Sequence, residues 1–105
     1  MSFKPVTNLL TNTENIIAVH RAIKQKYPTS IVLLKVGNVY QAFDNDAYLL
    51  HKILDISFRN TDAKNVAPAK VEFSISAFDG NLAKILKGGY MVAVCSYRFT
   101  VSKAS

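Results

Sequence analysis

With 105 residues, half of them hydrophobic and about a fifth charged, the chain has the size and composition of one globular domain that needs neither disulfide nor metal to fold. The lone Cys95 excludes an internal disulfide, and no apolar run approaches the roughly 20 residues of a membrane span or the core of a signal peptide, so a cytoplasmic protein without membrane contact is expected. Thirteen Lys/Arg against seven Asp/Glu give a net charge of +6, an excess that favours polyanions and, in a cytoplasm, nucleic acid.

Residues 1–10 read as a loose arm containing Pro5. Thr11 and Glu14 have capping-box spacing, with Thr13 as a competing cap. The segment ENIIAVHRAIKQKY places Ile16, Val19, Ile23 and Tyr27 on one helical stripe, and Arg21 and Lys24 on a solvated face. Pro28 forbids αR geometry at Tyr27 and ends the helix. IVLLKV (31–36) and VYQAF (39–43) are rich in β-branched and aromatic residues, and only Gly37-Asn38 separates them. That spacing predicts a two-residue hairpin of type II′ or I′. Val36 then faces Val39, Lys35 faces Tyr40 and Leu34 faces Gln41, while Val39, Gln41 and Phe43 share one sheet face.

Asp44 or Asn45 can cap a second helix, DAYLLHKIL, with Ala47, Leu50 and Leu54 as its stripe. DISF predicts a short strand at 55–58, and RNTDAKNVAP (59–68) a polar loop. AKVEFSISA alternates, Val71, Phe73 and Ile75 one way and Glu72, Ser74 and Ser76 the other, as in a half-buried strand. Asp79 caps a third helix, NLAKILK, which Gly88-Gly89 closes in a left-handed turn. YMVAVCSYRF is apolar on both faces through Cys95, the pattern of a central, covered strand, and residues 100–105 form a frayed tail. The order predicts an α+β fold in a single domain over 1–105: three helices on a mixed sheet of about five to six strands.

No constellation for catalysis emerges. Cys95 with His20 or His51 lacks anything local to lower the thiol pKa, and its apolar strand makes it a small buried hydrophobe. Asp44 and Asp46 lack the glycine and distal glutamate of a calcium loop, and serve as capping and dipole partners of the second helix. His51 and Asp55 read as a surface pair, because no second histidine or cysteine is near. Asp55 and Glu72 are acids beside strands, but Ser74 stands where a nuclease's Glu-x-Lys pattern would place lysine. No phosphate loop is present, so neither cofactor nor metal is expected, and the chain reads as no enzyme.

Two blocks carry a resemblance. HRAIKQKYPTSIVLLKVGNVYQAFDNDAYLLHKILDIS resembles the start of MutS mismatch-repair proteins, where a strand leads into Gly-Asp-Phe-Tyr-Glu-Leu-Phe, then an Asp-Asp-Ala helix and Leu-Asp-Ile-Ser. Gly37, Tyr40, Phe43, Asp46, Ala47, Leu54, Asp55, Ile56 and Ser57 occupy the matching places. GNLAKILKGGYMVAVCSY is similar to a second family stretch through Leu82, Ala83, Lys84, Gly89, Val92, Ala93 and Cys95. The blocks follow in the family's order over most of the chain, and imply a MutS N-terminal domain detached from its ATPase machinery.

The resemblance implies a double-stranded DNA partner met by the hairpin. In the family a phenylalanine wedges beside the mispaired base, and a glutamate two residues later hydrogen-bonds it. Those positions hold Val39 and Gln41 here. Valine cannot stack, which removes an aromatic contribution of ~1–3 kcal/mol per base. Glutamine still offers a donor and an acceptor, without charge. The family's Gly-Ile-Pro-Tyr-His segment is replaced by SAFDG (76–80), so the two base readers do not transfer. The expected interface comprises Lys35, Asn38, Val39 and Gln41 at the hairpin, with Lys64 and Lys70 adding phosphate contacts; the alternative is that Val39 only packs on Val36 and Gln41 is only an exposed strand position. The interface requires an uncovered hairpin tip and a Gln41 open to solvent; burial of Gln41 would remove its basis. Lys35 opposite Tyr40 reads either as a cation–π pair or as a phosphate contact. The rival expectation is a protein-interaction or homodimeric module, with strand 70–76 as the edge free for pairing.

Overall fold

The computed structural model describes residues 12–57, 59–60 and 69–97. The N-terminal arm, the Thr11–Glu14 cap, Lys64 and the C-terminal tail lie outside the described residues or side chains. Among the described residues, three helices, α1 (Asn12–Lys26), α2 (Asp44–Leu54) and α3 (Phe78–Lys87), accompany five strands: β1 (Ser30–Val36), β2 (Val39–Phe43), β3 (Arg59–Asn60), β4 (Ala69–Ser74) and β5 (Met91–Tyr97). They form one mixed sheet in the order β3-β4-β2-β1-β5, with β1 and β5 parallel and the other neighbours antiparallel. The fold is α+β.

The hairpin forms in the expected register: Val36 opposite Val39, Lys35 opposite Tyr40, Leu34 opposite Gln41. Of its two turn residues only Gly37 has positive φ, +62°, the signature of a II′ turn. Alternation then sorts the side chains into two layers. Ile31, Leu33, Tyr40, Ala42, Val71 and Phe73 pack with Ala47, Leu50 and Leu54 of α2 and Ile85 of α3 into the main core. On the opposite face Leu34 and Phe43 meet Ile16, with Val19, Ile23, Cys95 and Tyr97 packed around them. Tyr27, expected on that stripe, is about half exposed, because the helix has already ended at Lys26.

Several elements differ from expectation. Asp55–Ser57 are not in a strand: Asp55 closes α2 in the left-handed region (φ 56°), and Phe58 lies outside the described residues. Asp79 does not cap α3; that helix starts at Phe78 after a 3₁₀ turn, Ile75–Ala77, which takes Ile75 out of β4 and exposes it. α3 does end as its glycines predict. Gly89 (φ +91°) donates its N–H to Leu86 O and Tyr90 donates to Ile85 O, the paired bonds of a Schellman motif.

The largest difference concerns the edges. β5, expected at the centre, lies at the rim of the sheet, with Met91 and Val94 exposed. β4, expected as a free edge over 70–76, pairs with β2 through Lys70–Ser74 and on its other side with β3 only through Ala69 and Lys70, so Val71–Ser74 keep one side without a partner among the described strands.

Candidate nucleic-acid interface

Gly37 and Asn38 are exposed at the hairpin tip, and no described helix covers them. The Asn38 carbonyl accepts the N–H of Ile75 (3.0 Å), which ties the tip to the 3₁₀ turn that follows β4. The other expected contact residues do not converge on it. Period-two alternation puts Lys35 on the α2–α3 face with Tyr40, while Val39 and Gln41 point to the α1 face. The Tyr40 ring stacks against Phe78 (centroids 4.4 Å apart) and Phe73 (5.7 Å). Among the described residues the cation–π pair is instead Lys52 over Tyr48. Lys70 shares the face of Val39 but stands opposite Phe43, four residues and about 13 Å along the strand from the tip-proximal pair Val39–Ser74.

Gln41 departs furthest from its expected role. It is only 7% exposed, and its Nε2 donates to Glu72 Oε1 across the β2–β4 pair at 3.1 Å. A side chain so engaged does not present its amide to a base. The hairpin interface required both an uncovered tip and an open Gln41; the tip is exposed but Gln41 is buried, so the expected hairpin interface is overturned. Glu72 is the counterpart that pattern reading missed. Lys70 Nζ lies 3.4 Å from the same Oε1, and about a third of the Glu72 side chain remains exposed. The pairing Gln41↔Glu72 joins strands about 30 residues apart, so no local signal could reveal it.

A second polar cluster sits where α1 crosses the start of α2. Arg21 donates from Nε and Nη2 to the two carboxylate oxygens of Asp44, each at 3.0 Å. That hydrogen bonding holds the Asp44 pKa below its ordinary value and raises that of Arg21. Asp46, 1% exposed, accepts the Val32 N–H (3.0 Å) and a bond from Lys24 Nζ (2.8 Å); Lys24 also donates to Ser30 O. These acids therefore bridge elements and do not cap α2, and Lys24 is half-buried rather than solvated. His20 is buried with Nε2 2.9 Å from Val32 O, and loss of hydration lowers its pKa. A cavity of about 170 Å³ lies beside this cluster. Its two cations are matched by two carboxylates, so it has no net pull on a polyanion. Elsewhere, His51 Nδ1 lies 2.6 Å from Ile56 O.

The family model for MutS domain I matches residues 15–105. The chain is 34% identical over 85 residues to the DNA mismatch repair protein MutS of Thermosipho melanesiensis, which covers 81% of this chain and 10% of that protein. It is 36% identical to the MutS of Salinibacter ruber and 40% to that of Porphyromonas gingivalis, each over 76 residues, covering 70% of this chain and 8% of the relative. It thus spans about a tenth of the length of these curated relatives. With the hairpin register and the three-helix sheet layout in place, the chain belongs to the MutS domain I family.

Proposed function

We propose that the chain is a non-enzymatic, cytoplasmic DNA-binding module whose affinity is mainly electrostatic. The observation that carries this reading is membership of the MutS domain I family on a chain of net charge +6, of which the pairs at Arg21 and Lys24 neutralise only two cations. The mismatch-repair names of its relatives support DNA as the polyanion. Phosphate contacts would come from exposed lysines, with Asn38 at the tip as a polar contact. Gln41 is removed from the contact set, because its amide is spent on Glu72. The test is fluorescence anisotropy on matched, single-mismatch and single-stranded oligonucleotides across a salt series. Affinity should fall linearly with log salt, as counterion release requires. No binding at the lowest salt would end the proposal.

Self-association is a second reading, favoured by β5. The segment Gly88–Tyr97 carries no charge, and among the described strands β5 is the edge of the sheet, with none of the lysine, proline or bulge that usually blocks edge pairing. Two copies joined antiparallel along β5 would continue the sheet and bury Met91 and Val94. Light scattering should then give twice the monomer mass, and Val94→Lys should return it to one; a monomer at every concentration would refute this.

A further inference from the structure

We infer that the end of the sheet where β1 and β5 begin is a platform for single-stranded DNA, on which Tyr27 and Tyr90 stack bases and Lys26, Lys84 and Lys87 hold phosphates. The inference rests on the DNA-binding reading above and gives it a place and a strand state. β1 and β5 are parallel, with Ser30 opposite Met91, so the connections out of α1 and out of α3 reach the sheet side by side. The hairpin tip follows Val36, six residues and about 20 Å along β1, so this end faces away from it.

Each connection carries an uncovered tyrosine. The Tyr27 N–H donates to Ile23 O (3.0 Å), and its carbonyl accepts the Ser30 N–H (3.1 Å), which fixes its backbone beside the start of β1. Tyr90 immediately precedes β5. Its ring edge lies against Gly88, where an added Cβ would stand 3.3 Å from Cδ2. Tyr27 and Tyr90 are 51% and 38% exposed. The turn, the strand spacing and one residue step keep their Cα atoms within about 16 Å of each other. About five stacked nucleotides, at ~3.4 Å each, cover that span.

Charge supplies the second requirement. Lys26 is exposed beside Tyr27, and Lys84 and Lys87 are exposed in the last turn of α3. Neither segment 24–30 nor segment 84–92 contains an acid. The carboxylates that reach this end from α2, Asp44 and Asp46, are bound to Arg21 and Lys24. Lys26, Lys84 and Lys87 therefore have no carboxylate partner among the described residues. A duplex offers such lysines its phosphates but keeps its bases stacked inside. A single strand offers phosphates and open base faces together, and stacking on tyrosine tolerates any sequence because every base has a π-face.

The experiment titrates the full chain at low salt with a mixed-sequence 12-mer strand and with its duplex. The chain has five tyrosines and no tryptophan, so its own emission reports on the rings. Wild type should bind the strand more tightly than the duplex and lose tyrosine emission as it does so. Tyr27→Ala and Tyr90→Ala should each lower strand affinity at least about five-fold, the low end for one base–aromatic stack, and leave duplex affinity unchanged. Tyr27→Phe and Tyr90→Phe keep the ring and should retain strand affinity. K26Q/K84Q/K87Q should reduce the slope of log affinity against log salt by about 2 for the strand, as the loss of three phosphate contacts requires. Equal wild-type affinity for strand and duplex, alanine variants that weaken neither or both alike, or an unchanged salt slope overturns the platform while leaving DNA binding intact. Tyr27→Ala lies at an exposed position outside the core, so its result does not depend on refolding. No binding to either DNA at the lowest salt removes both readings.

Discussion

Asp46 keeps a charge at 1% exposure because a backbone N–H and the Lys24 ammonium converge on it from two other elements. Truncation to Asp46→Ala leaves Lys24 facing a void and the Val32 N–H unpaired. We expect a loss of about 3 kcal/mol by urea unfolding, the low end for a broken buried pair, since a third of the Lys24 side chain still meets water. His20 makes stability pH-dependent. Its pKa is lowered in the folded state by burial, so the unfolded chain binds the proton more readily. Stability is then complete above pH 6.5, the unfolded imidazole value, and declines as pH falls through it toward the folded pKa. A urea midpoint that is flat between pH 7.5 and 5 would contradict this. Asp44 has the usual carboxylate sign: its depressed pKa contributes stability that disappears only at more acidic pH. The sequence revealed that these acids were structural but not what they held. A carboxylate at a helix start looks the same whether it caps its own helix or reaches back to another.

Turns and caps were legible because they are local. Gly37 and Gly89 hold φ values of +62° and +91°, and an added Cβ at either would meet nothing within 4 Å. The cost of Gly37→Ala or Gly89→Ala is therefore purely conformational, about 1–2 kcal/mol each by chemical denaturation. A cost near zero would mean that these turns relax. The hairpin register was legible for the same reason: two residues and a II′ turn leave no other pairing. Strand placement was not. Alternation reports how apolar each face of a strand is, not which strand lies beside it, so β5 was expected inside the sheet and β4 at its margin. The burial of Gln41 was hidden likewise, being set by Glu72 on a strand that joins β2 only through the tertiary fold.

At the scale of the molecule, one sheet face is split between helix α1 and an open polar strip, and the other is closed by α2 and α3. The cluster at α1 and α2 serves cohesion. Charge follows the same division. Arg21 and Lys24 are neutralised internally, so the cationic excess available to a polyanion lies elsewhere on the surface. An Arg21→Ala variant should accordingly leave DNA affinity unchanged within twofold in the anisotropy assay and cost under ~1 kcal/mol of stability, as exposed ion pairs do.

The parallel pairing of β1 with β5 has a consequence for synthesis. Ser30 meets Met91 and Val36 meets Tyr97, so the most buried strand waits for nearly the last described element before its second flank is satisfied. During translation the nascent polypeptide would carry Ile31–Leu34 bare on that side until β5 leaves the ribosome. Release at residue 90 should yield a product that pellets on centrifugation, whereas the full-length product stays in the supernatant.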